Sequence, residues 1–373
     1  MTPNELVRAQ NSINFQETGQ ITEAHRAFIR PKIYLLTGLF IGLVMLIVWS
    51  IAVGSYDMPL FKITQAVFGL GQGHHNIVVW GIRMPRIIAA TLTGCGLGLS
   101  GLATQSLLRN PLASPFTLGI SQGAAFGAAF SIVVLNAAGM QDNALRAADS
   151  NTFTVLNIYA VTFFAFLGAI TATIIILILA RIKKMSPESI ILAGVALSSL
   201  FTSGTILIQY FATDIEIATV VFWTFGDVAR STWKEIGLLG FVTVVVIIYF
   251  VFQRWNLNAL AAGDDSARGL GVEISRLRLI GMLLAALVAA LATAFHGVIA
   301  FLGLLAPHIA RRLAGSDHFL LIPYSCLIGS LLLLMADTLG RMLVGSGTLP
   351  VGVLTSFMGA PLFLFLLMKG FKR

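Results

Sequence analysis

The sequence predicts an all-α polytopic membrane protein of about ten transmembrane helices, with both termini in the cytoplasm. Three observations carry that expectation. Of its 373 residues, 57% are hydrophobic and only 11% charged, where a soluble domain carries about a quarter charged. Apolar runs long enough to cross a bilayer recur along nearly the whole chain. The cations collect on alternate connections, as the positive-inside rule requires. Strict two-residue alternation, the mark of a membrane barrel, is absent, and a helix satisfies its backbone polar groups internally.

The runs cover residues 33–54, 86–107, 115–136, 153–181, 189–211, 234–252, 277–295, 297–313, 319–344 and 351–369. Pro307 and His308 interrupt the eighth. The tail 1–32 carries Glu5, Glu17 and Glu23 and shows no cleavable signal peptide. It and the outer segment 136–152 have no assigned role. With the N-terminus inside, seventeen of the 24 Lys and Arg residues fall in cytoplasmic segments. Outside remain Lys62, Arg83, Arg86, Arg146, Arg230, Lys234 and Arg341. The net charge of +8 then reflects attraction to anionic inner-leaflet lipid and gives no reason to invoke nucleic acid. Cys95 and Cys326 lie inside spans, without a disulfide framework or zinc spacing.

At the start of the second run, Arg83-Met-Pro-Arg86 places two cations against both the helix dipole and the inside bias. Two readings stay open: snorkelling to lipid phosphates, or fixed guanidiniums that dock acidic groups of an external partner, with Arg341 joining them. Within that run, Gly94, Gly96, Gly98 and Gly101 are most simply a close-packing surface. Between the second and third runs, Arg109-Asn-Pro-Leu-Ala-Ser-Pro115 forbids a continuous helix and fixes a stiff corner, where Asn110 and Ser114 can bond freed backbone groups. Interrupted spans of this kind line pathways in transporters. On the fifth run, Ser198, Thr202, Thr205 and Gln209 share one helical stripe, either a small-polar packing face or the lining of a mildly polar, uncharged cavity. His296, His308 and Asp337 are candidate intramembrane ionisable groups, all near predicted span ends. They assemble neither a proton relay nor a metal site.

The most telling segment is the polar island Leu257–Arg276 between the sixth and seventh runs. Charge bias puts it in the cytoplasm. Its small residues suit two short helices, with Gly263, Ala267 and Gly271 forming a close-packing face at intervals of four. Two such helices between membrane spans imply an external grip. The sequence has no phosphate-binding loop and no Gly-Lys pair, so ATP-driven work needs another chain.

In order along the chain stand Arg83–Arg86, Arg109–Pro115 with Leu118-Gly-Ile-Ser, Leu192-Ala-Gly-Val-Ala196, Ala261–Val272, Gly297–Arg311, and Leu349–Thr355 with Gly359-Ala-Pro361. From about Ile33 to Lys369 this series resembles the membrane subunits of ATP-driven type II importers for iron–siderophore complexes, haem and cobalamin. The resemblance implies a multi-pass inner-membrane permease that pairs with a second copy or a paralogue. It implies two cytoplasmic ATPase subunits, which would hold ATP and magnesium, and an external substrate-binding protein. No cofactor is expected in this chain itself. Docking would fall to Arg83, Arg86 and Arg341, and a cytoplasmic gate to Ser186, Pro187 and Glu188. Coupling to the ATPase would fall to Gly263, Asp264, Asp265, Ala267, Arg268, Gly269 and Gly271. The sequence departs from the family at Ser114, where an acidic residue is common, and at Pro187 and Glu188, where cobalamin-type members favour small hydroxyl residues. The expected cargo is a bulky metal chelate, a ferric siderophore first, with haem or cobalamin as alternatives. An ion-gradient-driven carrier would need buried charge pairs and repeated unwound spans, and neither is visible in the sequence. An intramembrane enzyme would have to use His296 or His308.

Overall fold

The computed structural model describes residues 3–54, 58–71, 73–135, 150–182, 185–343 and 349–370, and every regular element among them is helical. The expected segments Lys183–Lys184 and most of 136–152 lie outside the described residues. The chain divides into two compact units, Met1–Gly42 and Leu43–Arg373. From Pro3 on, the first lies in helix α1 (Pro3–Ala52). The second holds the end of α1 and all other elements.

These are α2 (Leu60–Val67), α3 (His74–Asn76), α4 (Met84–Leu107), α5 (Ile120–Ala129), α6 (Ser150–Ile182), α7 (Pro187–Tyr210), α8 (Asp214–Thr224), α9 (Trp233–Phe252), α10 (Arg254–Ala261), α11 (Asp264–Gly269), α12 (Ile274–His296), α13 (Leu302–Ala314), α14 (His318–Leu343) and α15 (Val351–Gly370). The expected runs lie largely in helix among the described residues. Among the described residues seven are long and apolar enough to span, and Ile120–Val134 and Val351–Phe365 are shorter apolar helices. The eighth run is the exception. Residues 297–300 are not helical, and Phe301 takes a left-handed φ of 65°. The 13-residue α13 that follows is about 20 Å long, short of a ~30 Å hydrocarbon core.

The second run starts earlier than expected, because a π-helical stretch Ile77–Arg83 joins α3 to α4 in one helical run from His74 to Leu107. Arg83 and Arg86 therefore lie within this run rather than at its mouth. Pro85, in the first turn of α4, has no N–H to give, and the widened turns ahead of it accommodate that loss.

Helix starts follow the sequence closely. Thr232 and Glu235 form a capping box on α9, and Thr213 and Glu216 do so on α8. Asp317 Oδ1 accepts from Phe319 N–H at 3.0 Å to begin α14. In the Arg109–Pro115 corner, Asn110 Oδ1 accepts from Leu112 N–H at 2.9 Å, and Ser114 and Thr117 cap a 3-10 turn reciprocally. Asn110 and Ser114 thus do what their residue types suggested.

Helix α4 is the central rod, packed by α9, α12, α13 and α14. A Cβ at Gly94 would overlap Gly329 O, one at Gly98 would overlap Ser325 O, and one at Gly101 would overlap Gly303 O. The absent side chains let α4 lie backbone to backbone on α13 and α14, which fixes their spacing. Gly101→Ala is therefore expected to destabilise the purified protein by about 1–3 kcal/mol in thermal or denaturant unfolding. Gly237→Ala, on α9 with open space around its Cβ, is expected to raise stability slightly, by about 0.5–1 kcal/mol.

Candidate functional site

The polar island folds as α10 and α11, and one side chain roots it. Arg278, on the first turns of α12 and only 2% exposed, donates from Nη1 and Nη2 to the two carboxylate oxygens of Asp264 at 3.0 and 2.9 Å. Its Nε donates to Leu107 O at 2.9 Å, and Nη1 also donates to Met185 O at 3.2 Å. One guanidinium thus ties the first residue of α11 to the C-terminal carbonyl end of α4 and to the turn before α7. Both carbonyls lie beside left-handed residues, Met185 itself at φ 57° and Arg109, two residues past Leu107, at φ 49°. Strained non-glycine backbone persists where surrounding contacts over-determine it. The sequence offered Arg278 only as one inside charge among many, and nothing local marks its partners.

A second tie holds α10. Asn258 Nδ2 donates to Asp317 Oδ1 at 2.9 Å, while Asn258 Oδ1 accepts from His318 N–H at 3.0 Å. His318 Nδ1 lies 2.6 Å from the same Oδ1, and Nε2 lies 2.8 Å from Ser106 Oγ. Because Asn258 Oδ1 can only accept, Nδ1 carries the proton and Nε2 accepts from Ser106. Desolvation works to raise the Asp317 carboxyl, but the bonds from Asn258 and Phe319 with nearby positive charge hold it below the usual carboxylate range. Asn258 thus links α10 to the start of α14 and, through His318, to the end of α4.

Other side chains of the island face outward, while Leu257, Leu260 and Ile274 are buried. The Arg268 and Asp265 side chains, paired at 3.2 Å, are 65% and 99% exposed. Leu270 and Trp255 are exposed as well. The close-packing face expected of Gly263, Ala267 and Gly271 is corrected in part. Ala267 is fully buried, but Gly263 (φ 125°) and Gly271 (φ 85°) are boundary glycines on either side of α11. Their spacing reflects where a six-residue helix must start and stop. Gly269 has nothing near its Cβ position.

Ser186, Pro187 and Glu188 form the start of α7. Ser186 Oγ accepts from Ser189 N–H at 3.3 Å, Pro187 takes the first helical position, and Glu188 sits in the positive first turn. Along α7, Ser198, Thr205 and Gln209 are half-buried and Thr202 is exposed. Thr205 bonds its own helix at Phe201 O, 2.9 Å away. The stripe runs along an edge of the single chain.

At the other end of α4 the three arginines are buried. Arg86 reaches Asp337 Oδ1 from Nε at 2.9 Å and from Nη2 at 2.8 Å, and Arg341 Nε lies 3.3 Å from Asp337 Oδ2. Arg341 also donates to Ser50 O, Val53 O and Ser50 Oγ, while Arg83 Nη1 donates to Ile51 O at 2.6 Å. The carbonyls at the negative C-terminal end of α1 are thereby capped by two guanidiniums. Asp337, 1% exposed, is sustained by this pairing rather than by water at a span end. Buried charge pairs, invisible in the sequence, are therefore present at both ends of α4. They are joined across separations of 251 and 14 residues.

His296 is a buried clasp. Its Nε2 lies 2.7 Å from Ser231 Oγ and its Nδ1 3.1 Å from Thr93 Oγ1, and its carbonyl accepts from Asp227 N–H at 2.7 Å. His308 is half-buried on α13. No group of three metal-ligating side chains occurs among the described residues.

Two substitutions test these networks. Asp337→Asn leaves Arg86 and Arg341 buried without a counter-charge, and is expected to lower unfolding free energy by about 3–5 kcal/mol, whereas Asp265→Asn changes it by less than ~0.5 kcal/mol. Arg278→Ala strands two carbonyls and a half-buried carboxylate, for an expected loss of about 2–3 kcal/mol. Denaturation midpoints of the purified variants check both.

The sequence matches the FecCD transport family over residues 42–369. An ABC transporter permease of Methanocaldococcus jannaschii is 46% identical over 95% of this chain and 99% of its own length. The Fe(3+)-citrate import permease YfmE of Bacillus subtilis is 35% identical, covering 91% and 95%. The vitamin B12 import permease BtuC of Vibrio cholerae is also 35% identical, covering 90% and 93%. A solved metal-chelate type ABC transporter in an inward-facing conformation superposes with a TM-score of 0.76 at 29% identity, covering 90% of this chain and 99% of that one. With an all-helical fold of membrane-length spans, two short rooted helices between α9 and α12, and a family match over most of its length, the chain belongs to the FecCD transport family of ABC importer permeases.

Proposed function

We propose that this chain is the inner-membrane permease of an ATP-driven importer of a ferric siderophore, working by alternating access with a second permease subunit. The observation that carries the reading is the division of the island into root and grip. Asp264 and Asn258 are committed to α12, α4 and α14. Arg268, Asp265, Trp255 and Leu270 stand exposed on helices that are too polar and too short to enter lipid. An element built to receive a push needs both halves. The ATPase, with its ATP and magnesium, would grip α10 and α11, and its closure would turn α4, α12 and α14 as packed bodies.

Met185 O shares the Arg278 guanidinium with Asp264, so displacement of α11 would reach the Ser186–Glu188 start of α7, the proposed cytoplasmic gate. Outside, Arg83, Arg86 and Arg341 would meet carboxylates of a binding protein, which must then compete with Asp337 and the α1 carbonyls. Ser198, Thr202, Thr205 and Gln209 would face the pathway once a second permease subunit closes that edge.

The iron and B12 relatives are equally identical to this chain, so identity alone does not choose the cargo. The departure at Pro187 and Glu188 from the small hydroxyl residues of cobalamin-type members favours the ferric chelate over cobalamin. A gradient-driven carrier would instead have to titrate Asp337, and uptake that persists without a partner ATPase would reveal it.

Arg268→Glu, or an insertion after Gly269, is expected to abolish uptake of a labelled ferric chelate by cells or proteoliposomes. ATP hydrolysis should lose its stimulation by cargo, while the external binding protein still docks. Coupled transport at normal rates in those variants would refute the role given to the island. Competition of ferric chelates, haem and cobalamin for uptake identifies the cargo.

A further inference from the structure

Beside the island lies a cavity of about 300 Å³ lined by Gln105, Ser106 and Arg109 from the end of α4, Ala261 from α10, Arg311 from α13, and Ser316 and His318 before and at the start of α14. Two guanidiniums and two hydroxyls share this lining, and no carboxylate does. The nearest acids are already engaged. Asp264 gives both oxygens to Arg278 and only a 3.6 Å approach to Arg109. Asp317 Oδ1 takes the Asn258 carboxamide and the Phe319 N–H. His318 is engaged on both ring nitrogens, with Asn258 Oδ1 and Ser106 Oγ.

The two cations are also aimed. Arg311 Nη1 donates to Oε1 of the buried Gln105, whose Nε2 is fixed on Leu304 O. That leaves the other N–H groups of Arg311 for the cavity. Arg109 projects from a left-handed backbone at φ 49°, a conformation unfavourable for a residue with a Cβ. Two like charges held at one half-enclosed cavity repel each other unless an anion lies between them. Planar guanidinium forks pair with carboxylate and phosphate oxygens alike, and a neighbouring hydroxyl donor can reach a further oxygen of a tetrahedral anion.

We propose that this cavity binds a phosphate-class anion, held by Arg109 and Arg311 with Ser316 as a further donor. Free phosphate and the headgroup of an anionic phospholipid share the chemistry. Because Ala261 ends α10 and Arg109 borders Asp264, occupancy stiffens the junction between the island and α4. The site is independent of which cargo is carried.

The full chain in phosphatidylcholine nanodiscs, with inorganic phosphate as probe in one arm, and in nanodiscs containing phosphatidylglycerol in a second arm, tests this. Equilibrium dialysis of labelled phosphate and native mass spectrometry of retained lipid are the readouts. One saturable equivalent per chain is expected in one arm, which identifies the source. That binding should weaken at least about tenfold in Arg109→Gln and in Arg311→Gln. It should persist in Arg312→Gln, an exposed neighbour outside the lining, and in Arg311→Lys to within a few fold. Should either Gln variant fail to fold, the wild-type rise in unfolding midpoint with the probe, compared with Arg312→Gln, replaces the binding readout. Equal weakening in Arg312→Gln would mean diffuse surface attraction and overturn the site. Absence of a saturable equivalent in both arms would overturn it as well.

Discussion

Arg278 and Asp264 hold together parts of the chain that have no other reason to stay in register. Helix α11 is connected to α12 through a short turn and to α9 through α10, and neither connection by itself fixes its orientation. A single guanidinium supplies that orientation because its donors form a rigid fork, with one edge on a carboxylate and the others on Leu107 O and Met185 O. Burying such a pair gains little net stability over an apolar replacement. Its effect is to select one arrangement, because any displacement of α11 strands a carboxylate, a cation and two carbonyls together. Lysine, with its freely rotating point charge, would not couple the three in the same way.

The same logic appears at the far end of α4. There the carbonyls that close α1 lack helical partners, and Arg83 and Arg341 supply them, with Asp337 balancing part of the charge. Between these two charged ends, α4 touches α13 and α14 through glycine, so backbones meet with no side chains to yield. Close-packed contacts of this kind shift as whole surfaces and do not deform gradually. A rod seated so tightly and held by ion networks at both ends suits the proposed coupling role, although the island and the α1–Asp337 network share no residue.

Much of this was legible in the sequence, for identifiable reasons. Hydropathy located the membrane-length helices, because lipid imposes a length and composition that single-chain patterns report directly. Capping residues at Thr232, Thr213, Ser186 and Ser114, and the turn-forming Asn110, act within a few positions and could be read locally. The short α13 was harder to read, since residues 297–301 look apolar and only the left-handed Phe301 ends the expected span. The early start of the second run was hidden by π-helical turns, which have no strong sequence signature. The charge networks were not legible at all. Asp337 and Arg86 are 251 residues apart, and whether a buried acid has a partner is a property of helix packing rather than of spacing. The regular four-residue spacing of Gly263, Ala267 and Gly271 was misleading, because boundary glycines around a six-residue helix reproduce the period of a packing face.

The two adjacent aspartates of α11 show how finely the island is divided. Asp264 is drawn inward by Arg278, and its removal would leave a desolvated cation. Asp265, one residue on, points to solvent and pairs with Arg268 across an exposed surface. Pairs of that kind contribute about 0–1 kcal/mol and are screened by salt. A protein partner can therefore replace the Asp265–Arg268 contact at almost no cost, while it cannot detach Asp264 without disturbing α4, α12 and the turn before α7 together. Successive helical residues are separated by about 100° around the axis, which is enough to assign one aspartate to the scaffold and the next to the surface. A grip that exchanges easily, next to a root that does not, is what the coupling role proposed for the island requires.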